Sequence, residues 1–494
     1  MTTPDQEDEK RSIRPSGLFR LARFLLLACL FLITLVCIAA GLLDIAGSNR
    51  LATAQKAAVD RGLALSMADL FAGLPDIPDS ENAALIYLDA FAMFDAVGTN
   101  PESPYVPLVS RHLESYKPED KKLAEAKETY DQMGRDARTP LLDYMLEGSI
   151  VYVANRAEVL DLLHQAASLD KSRYPLDWQG FQTPLPHLSK ARASARLLGV
   201  AAYVDVEEGR PADAASRVHD SLALARSLQG EPMLISSLVE MAMVSITVSN
   251  LQRVVSRTDL SDDDLLSLQD DFRRTLATFS CRPGFEGEFA NLLDFYDGLI
   301  SGRMSLATVR SLGSGSVTSP PDQPHLAERM LTIPLRGYLR ADEAMAVRYY
   351  LRIFDNIDNP SPEYLTSPDP VLDEIDNSKF LLCRMLVPAV SRAVMQAELA
   401  RARLRAVIAG LAALRHYKDH GSWPDSLETL VPVYLDSVPI DPFTAKPLIY
   451  VIKDDGIIIY GVGANAIDDG EGYYAEPPEG TERKGDDVGF RIWK

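Results

Sequence analysis

Cysteine is scarce in this sequence, with four in 494 residues, too few for a fold held together by disulfides. Positive charge is short as well. Fifty Lys and Arg stand against 70 Asp and Glu, a net charge of −20. That balance argues against nucleic acid as the partner, because such binding is driven by neutralising phosphates. Histidine numbers only seven, and these are scattered. His416 and His420 lie four apart, but there is no glutamate of an HExxH helix and no third ligand, so they read as a helix end. The sequence has no G-x-S-x-G, no phosphate-binding loop, no G-x-G-x-x-G and no paired C-x-x-C. Ser168 and Lys171 fit S-x-x-K, yet the companion S-D-N and K-T-G motifs are missing. With no constellation that asks for catalysis, a non-enzymatic protein is expected. One alternative is an exported enzyme whose site assembles from distant helices, with Glu240, Asp294, Asp297 and Glu398 as the carboxylates to examine. Another is an extracytoplasmic ligand-binding protein, although a tail of about 20 residues leaves no room for a cytoplasmic signalling domain.

Charge is missing altogether from residues 24–43, FLLLACLFLITLVCIAAGLL. At 1.5 Å per residue such a helix reaches about 30 Å, the thickness of bilayer hydrocarbon. Lys10, Arg11, Arg14, Arg20 and Arg23 precede it and Asp44 follows. A basic flank stays in the cytoplasm, so the expectation is a single-pass anchor in the cytoplasmic (inner) membrane, with the later residues exported. The partner there is the lipid bilayer. A signal peptide cleaved near Ala39 or Ala46 is the rival, but its apolar region is normally about 7–15 residues, shorter than this one. Leu26-Leu27-Ala28-Cys29 has the look of a lipidation box, but the apolar run continues well past Cys29.

The rest has ordinary globular composition, 47% hydrophobic and 24% charged, which excludes a disordered or multi-span chain. Residues 44–354 are expected to form an exported helical domain. Leu85, Leu88, Phe91 and Phe94 make one apolar face. A helical stretch over 121–169 is interrupted at Pro140, and 173–187 reads as a connector. Residues 188–255 resemble a tetratricopeptide-type hairpin, with a turn at Glu208-Gly209-Arg210 and small residues after it; a plain helical bundle is the alternative. Ser261 ahead of Asp262, Asp263 and Asp264 reads as a helix cap. Residues 355–378 form an acidic, proline-rich connector. A long helix is expected over 379–418, carrying seven basic residues from Arg384 to Lys418 against one acid, Glu398. Its basic face is expected to meet acidic parts of the same protein. Cys281 and Cys383 are either a disulfide or two buried thiols.

The last 80 residues change character. Gly421 ends the helix, Trp423-Pro424 opens a short helix, and the segments around Asp454-Asp455-Gly456 alternate as a hairpin. A last strand is expected near 488–493. Tyr417-Lys418, Gly421, Trp423-Pro424, Leu427, Leu430-Val431, Tyr434-Leu435, Pro439, Asp441-Pro442, Tyr450, Tyr460, Gly461, Gly463, Asp487-Val488 and Trp493 appear in the order and spacing of the major pseudopilin of type II secretion. Residues 379–494 therefore resemble that family's long helix with its small antiparallel β module. The prepilin-peptidase pattern is broken, because Ala22 stands where a glutamate is needed after Gly17-Leu18. The chain instead resembles bacterial anchored proteins that join a helical body to a pseudopilin-like end, and Asn82-Ala83-Ala84 with Tyr87 is similar to a segment of such proteins.

The resemblance implies a structural calcium ion in the loop before the last strand, with Asp468, Asp469 and Asp487 as first ligands and Asn465 and Asp486 next. Calcium takes six to eight hard oxygen ligands. A solvated acidic loop is the alternative, since residues 421–494 hold 14 acids against 6 bases. The whole reads as a mainly α chain: a cytoplasmic tail (1–23), a transmembrane helix (24–43), the helical body, the connector, and a pseudopilin-like α+β end. It is expected to act as a scaffold or interaction body for an unidentified protein partner, linked through the resemblance to a secretion or pilus-like apparatus.

Overall fold

The apolar run does not stand alone: it is part of one continuous helix, α1 (Gly17–Val59), about 65 Å long at 1.5 Å per residue. The structure, a computed structural model, describes residues 17–98, 100–110, 120–305, 309, 332–367, 370–386, 388–470 and 487–494. Asp486, among the expected calcium ligands, lies outside them. The chain divides into two compact units, residues 1–57 with 296–345, and residues 58–295 with 346–494.

In the first unit, α1 is long and apolar enough to cross a membrane. Phe24, Leu26, Phe31 and Leu42 are all exposed along it. Asp44 does not end this helix. It sits inside it and pairs with Arg340, which also donates to Ser48 Oγ at 3.0 Å. Gly47 lies against Gly337, so close that a Cβ on Gly47 would stand 2.4 Å from the Gly337 carbonyl oxygen. Glycine is required at this crossing for lack of space. Nearby, Gln55 donates to Glu343 at 3.1 Å and Tyr296 to the buried Asp342 at 2.9 Å.

The second unit is a helical body with one small sheet. Its elements begin with α2 (Met67–Gly73) and α3 (Ala83–Val97). Asn82 caps α3, accepting from Ala84 N and Arg173 N while donating to the Arg173 carbonyl. The Asn82 motif thus clamps the chain at 171–173 onto a helix start. The stretch around Pro140 resolves into α4 (Lys121–Arg135), α5 (Asp143–Ala154) and α6 (Ala157–Ala167). Next come α7 (Pro186–Glu207) and α8 (Pro211–Arg226), joined at Gly209 with φ +70°, a left-handed turn that glycine adopts without strain.

Helix α9 (Leu234–Arg257) packs on both α7 and α8. It too is long and apolar enough to cross a membrane, but most of it is buried in this body, as a core helix must be. Gly199 of α7 faces α9, where a Cβ would come within 2.5 Å of Asn250 Nδ2. Ser261 caps α10 (Asp262–Thr278) in a full capping box with Asp264, satisfying two orphan donors at once.

Helix α11 (Arg282–Ser301) follows, then α12 (Arg336–Asp358). The proline-rich stretch beyond holds short helices, α13 (Pro362–Thr366) and α14 (Pro370–Asp376). The long helix expected over 379–418 is represented by α15 (Leu381–Leu386) and α16 (Pro388–His420), the second opening on Pro388, a residue that suits a first helical turn. Part of its basic face does meet acid: Arg415 pairs with Asp262 and Lys418 with Asp259.

The short helix expected after Trp423 is a 3-10 turn, Leu427–Leu430. Strands β1 (Ile449–Lys453), β2 (Gly456–Gly461) and β3 (Val488–Trp493) form an antiparallel sheet in that order. Lys453 pairs with Gly456 across Asp454-Asp455, the expected hairpin. The alternation fails in β2, which is buried at every residue because it is the central strand and α16 packs against it. Gly410 of α16 makes room for Phe490, whose Cδ1 would lie 2.5 Å from an added Cβ.

Candidate functional site

Asp487 opens β3 and is 7% exposed. Neither of its carboxylate oxygens accepts a hydrogen bond of normal geometry among the described residues. Burial pushes this carboxyl up to about 6, and the negative charges of Asp469, Asp468 and Asp441 add to the effect; the Asp469 backbone N–H works against it. A buried carboxylate left in this state costs stability unless a cation or proton compensates it.

The loop after β2 supplies the neighbouring acids. Asn465 Oδ1 accepts from Ile467 N at 2.9 Å, and Asn465 Nδ2 donates to Asp469 Oδ2 at 2.8 Å. Asp468 Oδ1 accepts from Gly470 N and from the Tyr460 hydroxyl, both at 3.0 Å. Asp441, read from the sequence only as part of a turn, joins this acidic group. Its oxygens accept from Phe443 N at 2.9 Å and from Val462 N at 3.0 Å, so it also ties the turn to the end of β2. The turn pattern hid this role, since Asp before Pro is a common turn residue.

Four carboxylates thus act on one another here, but among the described residues no three acid, His or Cys side chains stand together at metal-binding spacing. The fit to calcium rests on donor chemistry. Asp487, Asp468 and Asp469 offer hard anionic oxygens, Asn465 an amide oxygen, and the two buried oxygens of Asp487 have no hydrogen-bond donor of normal geometry among the described residues, which leaves them open to a hard cation. A calcium ion held by these residues would supply charge neutralisation.

Arrangements that superficially suggest catalysis read as structural. Ser267 Oγ lies 3.5 Å from His219 Nε2, and His219 Nδ1 bonds Asp271, the order of a nucleophilic triad. Ser267, however, is exposed in mid-helix, where the backbone N–H groups are spent on the helix and cannot form an oxyanion hole. Ser236 bonds Glu231, and Glu231 bonds His187, so serine meets the carboxylate and not the imidazole. His416 and His420 stack with ring centroids 4.2 Å apart, each ring donating from Nδ1 to a backbone carbonyl.

The four carboxylates singled out in the sequence serve local structure. Glu240 is buried, bonded by Gln229 Nε2 at 2.6 Å, and burial pushes its carboxyl up to about 8. Glu398 pairs with Arg401 at 3.1 Å. Asp294 accepts from Met67 N at 3.0 Å, and the exposed Asp297 pairs with Arg303. Cys281 and Cys383 are separate buried thiols; burial pushes the Cys281 thiol up to about 12, so it is not a ready nucleophile.

A second feature was not visible in the sequence. A cavity of about 460 Å³ opens in the helical body, lined by residues of α4, α7, α9, α16 and β3. Four arginines line it: Arg192, Arg196, Arg253 and Arg403. No short motif could have shown this, since the contributing residues run from Leu108 to Trp493. Compared with protein-family models, with curated proteins and with solved structures, the chain matches none.

Proposed function

We propose that the chain is a non-enzymatic, single-pass protein of the bacterial inner membrane, held by residues 24–43 with its N-terminus in the cytoplasm. Its helical body faces the extracytoplasmic side and serves as an interaction scaffold for a protein partner. Its C-terminal module is a pseudopilin-like cap stabilised by calcium, and a link to a secretion or pilus-like apparatus follows from that likeness. The observation that supports the anchored reading is the exposed apolar stretch of α1, continuous with the helix that pairs through Asp44 and packs through Gly47 in the first unit. An apolar surface of this kind marks a membrane or partner contact. Support for the cap comes from the Asp487 carboxylate, without a partner among the described residues and set among Asp441, Asp468 and Asp469.

Labelling with a membrane-impermeant maleimide in spheroplasts tests the topology. Val433, 74% exposed, replaced as Val433→Cys is expected to react from outside, and Thr3→Cys only after permeabilisation. A mature chain that begins near residue 40 or 47 would instead establish a cleaved signal peptide. Thermal unfolding with calcium and with chelator tests the cap. The expected result is a calcium-dependent rise in Tm, lost in the Asp468→Ala, Asp487→Ala double variant; no rise would remove the metal.

A further inference from the structure

The cavity in the helical body carries uncompensated positive charge inside a chain whose net charge is −20. Of its four arginines, Arg253 is already spent. It donates to the Ala137 and Thr139 carbonyls and pairs with Glu207. The one carboxylate in the lining, Asp131, stands 3.6 Å from Lys127. Arg192 and Arg196 have no ion pair or hydrogen bond among the described residues, and Arg403 donates only to the Ser245 hydroxyl.

Arg192 and Arg196 are four apart on α7, a spacing at which like charges repel and cost helix stability. Elsewhere this chain brings acids to its arginines, as at Arg210, Arg257, Arg282 and Arg415. Here three guanidinium groups line one space, and among the described residues none of them pairs with a carboxylate. The remaining walls include Met133, Tyr203, Ile246 and Trp493, an apolar and aromatic surface. The volume falls within the ~300–1,000 Å³ typical of small-molecule sites.

We propose that this cavity binds a small organic dianion, a phosphate ester or a dicarboxylate, on an apolar or aromatic body. The guanidinium fork matches carboxylate and phosphate oxygens two at a time, and the apolar wall takes the rest of the ligand. The inference is independent of the calcium reading, which concerns residues of the C-terminal loop.

The test is calorimetric titration of the full chain in phosphatidylcholine nanodiscs, with empty nanodiscs as the blank and 2-naphthyl phosphate as the probe. One site per chain is expected, with 2-naphthol, the same ring without the charge, binding at least about tenfold more weakly, the worth of one charge-assisted hydrogen bond. The Arg192→Gln, Arg196→Gln double variant is expected to lose a similar factor or more. Arg192→Lys with Arg196→Lys should recover part of it, which separates charge from folding. Ser249→Phe, which fills the space with both arginines intact, should also abolish binding. Equal binding of 2-naphthol, retention in the Gln variant, or no binding of the phosphate at millimolar concentration would each overturn the proposal. Inorganic phosphate binding as tightly as the naphthyl ester would overturn the apolar half of the site. Competition by phosphatidylglycerol nanodiscs would overturn the soluble ligand in favour of a lipid headgroup.

Discussion

The acidic loop beside β3 and the arginine-lined cavity are opposite cases of one imbalance. Around Asp487 the protein gathers four carboxylates, and among the described residues the buried one has no basic partner. Around Arg192 and Arg196 it gathers guanidinium groups that pair with no acid among the described residues, the one lining carboxylate, Asp131, standing by Lys127. Net charge accounts for neither, since an acidic chain has carboxylates to spare for three arginines. What the pair teaches is that overall charge says little about a site. The informative quantity is charge left unpaired where the rest of the molecule pairs its own. Arg253 supplies the control. It lines the same cavity, yet every strong interaction it makes is with its own protein.

The comparison breaks most sharply at Arg253. Arg253→Met leaves Glu207 with one arginine in place of two and orphans two backbone carbonyls. Removing one partner of a buried pair costs about 3 kcal/mol or more, so a large fall in the urea or thermal midpoint is expected. If the midpoint hardly moves, Arg253 is not spent, and the division of the cavity arginines fails.

The acidic side gives the next effect. At calcium one hundred times its Kd, mass action adds about 2.7 kcal/mol to the native state. Asp487→Asn should act in two directions at once. Without calcium it relieves a buried carboxylate that has no partner among the described residues and raises Tm; with calcium it removes the rise expected of the wild type. A variant that loses stability under both conditions would show that Asp487 serves packing alone.

Glu240 separates burial from ligand demand. Its carboxyl is raised from 4.5 to about 8 by burial, but it has a hydrogen bond from Gln229. A folded-state value above the unfolded one means that the native state holds a proton the unfolded chain has released. Stability is therefore fully present below about 4.5 and is lost as pH rises toward and through about 8. Glu240→Gln should flatten this dependence and raise stability at pH 8 by on the order of 2 kcal/mol. Calcium should leave that profile unchanged, since among the described residues burial and the Gln229 hydrogen bond, not another acid, set the shift of Glu240. A calcium-sensitive Glu240 profile would erase the distinction from Asp487.

Features built from neighbours in sequence were legible. The uncharged run at 24–43, the Ser261 cap and the Asp454-Asp455 hairpin all depend on residues within a few positions of one another, and the structure has each of them. Boundaries set by tertiary contact were not legible. The apolar run gives no hint that α1 continues to Val59, because Asp44 finds Arg340 nearly 300 positions away. The alternation expected in β2 was lost to its central place in the sheet. Part of the acidic loop was readable because its residues cluster in the chain, whereas Asp441 was not, since only the fold brings it to Asp487. The cavity was invisible for the same reason, being assembled from five separate elements.

The smallest expected effect sharpens the comparison most. Arg192 is exposed and Arg196 half-buried, and among the described residues neither has an ion pair or hydrogen bond to lose. Arg192→Gln with Arg196→Gln should therefore change stability by no more than about 0.5 kcal/mol, as for surface positions without special contacts. The sign should be slightly favourable, because the substitution removes a like-charge pair one helical turn apart. Matched melting curves of wild type and double variant in chelator check this. A fall as large as that of Arg253→Met would mean that these arginines hold the fold after all and leave no charge for a ligand. An unchanged midpoint, beside a lost response to 2-naphthyl phosphate, would assign their charge to something outside the protein.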